Sequence, residues 1–178
     1  MPINMVKLPT SRKDLYFRVA KGHFATSRSH TNYYIDITVQ KTRLSEATAL
    51  AQEFVEMYRY KAPVDTILCL DGTEVIGTCI ANEMTRMELA NMNLHQTVYI
   101  VTPEHTSGSQ LIFRENILPM IKGKNVLILA ASVVTGFTAR GAIEAVKYYD
   151  GNISGIAAVF STETECEGYP ITSVFNPK

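Results

Sequence analysis

The chain has 178 residues, 46% of them hydrophobic and 19% charged, the composition of an ordinary soluble globular protein with a substantial core. Seventeen basic residues balance seventeen acidic ones, which gives no support for a nucleic-acid or membrane-surface partner. No apolar run approaches a transmembrane span, and the first fourteen residues lack the apolar core of a signal peptide.

Residues 1–14 read as an arm, because Pro2 and Pro9 discourage an early helix. Residues 15–20 open a short helix or strand, and residues 21–31 (KGHFATSRSHT) form a loop rich in Ser, Thr and His. Aromatic and β-branched residues with partial alternation predict a strand over residues 32–40. Ser45 is the expected N-cap of a helix over residues 46–60, where Ala47, Leu50, Ala51, Phe54, Val55 and Tyr58 form an apolar stripe. Residues 66–70 (TILCL) are a buried strand, Asp71-Gly72-Thr73 a turn, and residues 75–89 a helix with Ile76, Ile80, Met84 and Met87 on one side. A strand over residues 97–101 leads to a loop over 102–110 that its composition makes flexible. Residues 111–121 hold a short strand and one helical turn.

Residues 126–131 are apolar without a break and follow the turn Lys122-Gly123-Lys124-Asn125, the pattern of a strand buried on both faces. A small, polar turn over residues 133–138 comes next. Ala142, Val146 and Tyr149 then recur at helical spacing. Residues 154–160 are a further buried strand, and residues 171–175 a last short one. Cys69 and Cys79 sit in apolar stretches as core residues. Three cysteines without close pairing, Cys166 being the third, fit a reducing cytoplasm.

Strands and helices alternate from Thr66 onward, which predicts an α/β fold: a mainly parallel twisted sheet flanked by helices. Ligands bind beyond the carboxyl ends of strands in such sheets, so the loops at Asp71, Thr102 and Ala130 are expected to gather around one cleft. The loop after residues 126–131 ends at a helix N-terminus, where free backbone N–H groups and the hydroxyls of Thr135 and Thr138 converge into a site suited to phosphate. An ordinary turn in which Thr138 caps its helix explains the same residues equally well.

This strand–turn–helix segment resembles the phosphoribosyl-diphosphate (PRPP) loop of the type I phosphoribosyltransferases. In that family two adjacent acids follow the buried strand and precede a Thr/Gly/Ser phosphate cradle. Here Ala130-Ala131 stand in place of the acids, Ser132-Val133 follow, and Val134-Thr135-Gly136-Phe137-Thr138 stand in place of the cradle. The resemblance implies that this cradle holds a 5′-phosphate. It implies further that Asp71-Gly72-Thr73 form the diphosphate loop. The run from Ser27 to Asp36 resembles the base-covering hood of the orotate branch, with Tyr33 or Tyr34 stacking on a planar base and one of the pair packed on the core. Residues 102–108 match the mobile catalytic loop by place but carry only His105 as a weak catalytic candidate. Nor does an Arg follow the strand ending at Phe160, where the orotate branch grips the base carboxylate.

The implied architecture is a single domain, with residues 1–44 as arm and hood and residues 45–178 as the α/β core. The implied ligand is PRPP or a nucleotide, in a cytoplasmic homodimer without nucleic-acid or membrane partners. Mg²⁺, the family's metal, loses its ligands where methyl groups replace carboxylates, because a hard cation needs oxygen donors. Weakened or absent transferase chemistry follows; the alternative is an active enzyme that moves ribose 5-phosphate from PRPP to a pyrimidine or other base.

Overall fold

The computed structural model describes residues 4–25, 30–58, 62–90 and 98–176. Its centre is β8 (Asn125–Val133), the unbroken apolar run of the sequence extended by one residue before it and two after. A strand with apolar residues on both faces must be covered on both faces. The chain provides this with parallel neighbours on each side and helices above and below.

Following the chain, β1 is Val6–Pro9, β2 Tyr16–Ala25, β3 His30–Asp36, β4 Thr66–Cys69 and β5 Tyr99–Val101; β6 is Glu104–His105, β7 Leu111–Ile112, β9 Asn152–Ser161, β10 Glu165–Cys166 and β11 Tyr169–Phe175. The helices are α1 (Thr38–Thr42), α2 (Leu44–Tyr58), α3 (Glu74–Ala90) and α4 (Phe137–Tyr148), with a 3-10 helix over Glu115–Met120. The main sheet runs β10-β11-β9-β8-β4-β5, parallel throughout except for the antiparallel edge strand β10. The expected mainly parallel α/β sheet is present.

Alternating residues of β8 feed two cores. Leu127, Leu129 and Ala131 join a cluster with Ile67, Cys69, Ala157 and Val159 under α2 and α3. Val126, Ile128 and Ala130 join another with Leu68, Ile156, Ala158 and the apolar side of α4. Each fully buried Leu or Ile contributes about 1.5–3 kcal/mol through removal from water. Cys69, Cys79 and Cys166 are all buried and unpaired. Burial pushes the Cys69 thiol up to about 12, so it stays protonated and acts as a small apolar group.

The N-terminal region departs from the sequence reading. The expected arm contains β1, paired with β2 from Val6↔Val19 to Pro9↔Tyr16. Most of the expected loop over 21–31 is strand, since β2 continues to Ala25 and β3 begins at His30. Together β1, β2 and β3 make a three-stranded antiparallel hood. It anchors to the body through Phe17 and Val19 of β2 and through Leu15 just before that strand, which share the core of α2 and α3.

The strand expected to reach residue 40 stops at Asp36. The Asp36 carboxylate accepts a hydrogen bond from the Thr38 N–H at 3.0 Å and starts α1 instead. Hydrogen bonds from the Thr38 hydroxyl and N–H hold that carboxyl below its usual range. Gln40 docks the short helix by donating to the Tyr16 carbonyl at 2.9 Å. Ser45 is not an N-cap, because α2 already begins at Leu44. Residues 59–60, the expected end of that helix, lie outside the described residues, as do Thr97 and most of the turn Ser27–Thr31.

Candidate functional site

The turn from β8 into α4 stands at the carboxyl edge of the sheet. Gly136 is the N-cap of α4 and takes φ +73°, a left-handed conformation that glycine adopts at little cost. Thr138 therefore lies inside the first turn of the helix and does not cap it. The Thr135 hydroxyl accepts from the Phe137 N–H at 3.4 Å. The first N–H groups of α4 have no partner within the helix and point out of its end.

The chain just after β9 and the edge strand β10 brace this turn. The Thr162 N–H donates to the Val133 carbonyl at 3.1 Å. The Cys166 thiol lies 3.8 Å from the Gly136 carbonyl, which accepts its weak hydrogen bond. Arg140, in the first turn of α4, is held by Glu167 with Nε–Oε1 at 2.8 Å. Both side chains are half exposed, so this pair contributes no more than about 1 kcal/mol.

A cavity of about 640 Å³ opens between this turn and the hood. Its walls include Tyr33 and Tyr34 from β3, Ser132 from the end of β8, all five cradle residues from Val134 to Thr138, Phe160 of β9 and Thr162 just after it. The volume falls within the usual range for small-molecule sites. Hood and cradle, more than ninety residues apart in the chain, thus face one space. The expectation that one tyrosine packs on the core fails: Tyr33 is 52% and Tyr34 46% exposed. The hood strand carries little buried surface on either face, so neither ring is drawn inward.

Other sequence candidates fall elsewhere. Asp71, Gly72 and Thr73 form a turn with φ +56° at Asp71 and +72° at Gly72, but none of them lines the cavity. Thr73 is buried, and its hydroxyl donates to the Leu70 carbonyl at 2.6 Å, a structural role. His105 is exposed and also outside the cavity. The flexible loop expected over 102–110 is a hairpin: β6 pairs with β7, Thr106 N–H donates to the Gln110 carbonyl at 3.0 Å, and Arg114 pairs with Glu104.

The sequence reading missed His30. It lines the cavity, and its Nδ1 lies 3.2 Å from His23 Nε2 across the hairpin. The usual metal-ligand spacings do not include two histidines seven residues apart in a hairpin, and the pairing of β2 with β3 joins them.

Among the described residues, the cavity walls contain no Asp, Glu, Lys or Arg. Ala130 and Ala131 are buried within the two cores. Among the described residues no three His, Cys, Asp or Glu side chains gather to hold a metal. A donor set of hydroxyls, amide groups, aromatic rings and the His30 imidazole does not fit Mg²⁺, a hard cation that takes carboxylate or phosphate oxygens. No helix among the described residues is long and apolar enough to cross a membrane.

No family model matches the chain, and no curated protein matches it. Solved structures do. UMP synthase of Leishmania donovani is similar with a TM-score of 0.65 and 20% identity over 89% of this chain, which spans only 33% of that one. Orotate phosphoribosyltransferase of Mycobacterium tuberculosis H37Rv, in complex with PRPP, is similar with a TM-score of 0.60 and 16% identity over 81% of each chain. Adenine phosphoribosyltransferase of Thermoanaerobacter pseudethanolicus is similar with a TM-score of 0.60 and 14% identity, over 88% of this chain and 95% of that one. With six mostly parallel strands, flanking helices and an antiparallel N-terminal hood, the chain has the fold of the type I phosphoribosyltransferases.

Proposed function

We propose that the chain is an orotate phosphoribosyltransferase-like protein that binds a 5′-phosphoribosyl ligand, PRPP or a nucleotide, with its transferase chemistry weakened or lost. One observation carries the reading: the cradle and the hood tyrosines line a single cavity whose described walls hold no carboxylate. The N–H groups at the start of α4 and the Thr135 and Thr138 hydroxyls receive the phosphate. Tyr33 or Tyr34 covers the base, and Ser132 also lines the cavity. Where charge develops at the anomeric carbon of a transferred ribose, the methyl groups of Ala130 and Ala131 offer no compensating carboxylate. A homodimer in the cytoplasm, active in nucleotide metabolism, completes the proposal; three buried, unpaired cysteines support a reducing compartment.

Similarity to named transferases favours the alternative, an active enzyme moving ribose 5-phosphate from PRPP to a base. Incubation with PRPP, Mg²⁺ and a panel of purine and pyrimidine bases separates the two. No nucleotide product is expected. Turnover that Thr135→Ala abolishes would establish the alternative.

A further inference from the structure

We propose that the cavity selects a nucleoside 5′-monophosphate with an uncharged base and rejects diphosphate esters, PRPP included. The inference rests on the ligand reading above and narrows it. A monophosphate can be met by neutral donors, the N–H groups and hydroxyls at the start of α4. A diphosphate brings further negative charge that neutral donors cannot balance away from water.

Among the described residues, the arginines near this edge are paired with acids. Arg140 is held by Glu167 at 2.8 Å, and Arg114 pairs with Glu104. The neighbouring turn has the wrong sign. It lies beside β8, because the Leu70 N–H donates to the Leu129 carbonyl at 2.8 Å, and it presents the exposed carboxylates of Asp71 and Glu74. A second phosphate directed toward β4 meets these two acids. The other end of the cavity favours a ring, since the half-exposed Tyr33 and Tyr34 line it. With no described Lys or Arg in the walls, a base bearing its own carboxylate finds no fixed cationic partner, and an uncharged heterocycle needs none.

Calorimetric titration of the full chain with UMP, AMP, UDP, ribose 5-phosphate and Mg²⁺·PRPP tests this. At least one mononucleotide is expected to bind about tenfold or more tighter than ribose 5-phosphate, through stacking. UDP and Mg²⁺·PRPP are expected to bind at least about tenfold weaker than that mononucleotide. Glu74→Lys, with its fold checked by circular dichroism, is expected to tighten PRPP binding while leaving the mononucleotide unchanged.

PRPP or UDP binding as tightly as the best mononucleotide overturns the selectivity and leaves the broader reading standing. A mononucleotide no tighter than ribose 5-phosphate, or a Glu74→Lys variant with unchanged PRPP affinity, overturns it too. If no phosphorylated compound binds, the broader reading falls and the selectivity falls with it.

Discussion

Replacing Ala130 with glutamate is expected to destabilise the fold by about 3–5 kcal/mol and to create no Mg²⁺ site. Ala130 is 1% exposed and belongs to the cluster that holds Leu68, Leu70, Val133 and Ala158. A longer side chain there forces neighbours off their packing, typically at about 1–3 kcal/mol. A carboxylate enclosed without a partner adds a further cost, or takes up a proton to escape it. The sign of the pH dependence follows. A buried, unpartnered carboxyl has a folded-state pKa above its unfolded value. The penalty is full above that raised value and shrinks as pH falls below it. Urea denaturation of Ala130→Glu at neutral and acid pH measures both parts. Unchanged stability together with new Mg²⁺-dependent PRPP binding would mean that this residue faces the ligand, as the acids do in the family it resembles.

The second large effect is expected at the N-cap of α4. Gly136→Val places a β-branched residue at φ +73°, a conformation that costs an L-residue about 1–2 kcal/mol, and brings its Cβ to 3.4 Å from Cys166 Sγ. The turn must shift, and the helix N–H groups shift with it. Affinity for ribose 5-phosphate is expected to fall at least about tenfold, the equivalent of one or more lost charge-assisted hydrogen bonds. Gly72→Val is the control. Its φ of +72° imposes the same backbone strain, yet nothing lies within 4 Å of the new Cβ, and the residue is outside the cavity. Gly72→Val should lose similar stability and no affinity. Thermal unfolding and calorimetry on both variants separate strain from binding; equal loss of affinity in the two would assign the Asp71–Thr73 turn to the ligand.

The sequence revealed the parts of this fold whose burial is two-sided and local. Residues 66–70 and 126–131 are short apolar runs between turn signals, and each became a central strand, β4 and β8, within two residues of the expected ends. The apolar stripes of α2 and α3 likewise gave helices that begin within two residues of the predicted starts.

The hood implied by the resemblance is present, but its strand pattern was not legible. In β2, Phe17 and Val19 alternate inward, but the pairing register shifts between Lys21 and Phe24, which breaks the period at the point where the sequence reads as a loop. β3 has no fully buried residue, so hydrophobic alternation could not mark it. The 102–112 hairpin has strands of two residues each, too short to carry a period.

The site divides in the same way. The β8–α4 turn was legible because strand, turn and helix are contiguous in the chain. The exclusion of Asp71–Thr73 and His105 from the cavity, and the arrival of His30 in it, depend on contacts between distant segments. Neither could be read from spacing.

The account depends on the β8–α4 turn receiving a phosphorylated sugar. Titrating the chain with ribose 5-phosphate while following its backbone amide resonances by NMR tests this most directly. Saturable shifts are predicted, largest at Thr135, Gly136, Phe137, Thr138 and Ala139 and weakened in Thr135→Ala. No saturable shift at these amides, or shifts confined to Asp71, Gly72 and Thr73, would contradict it.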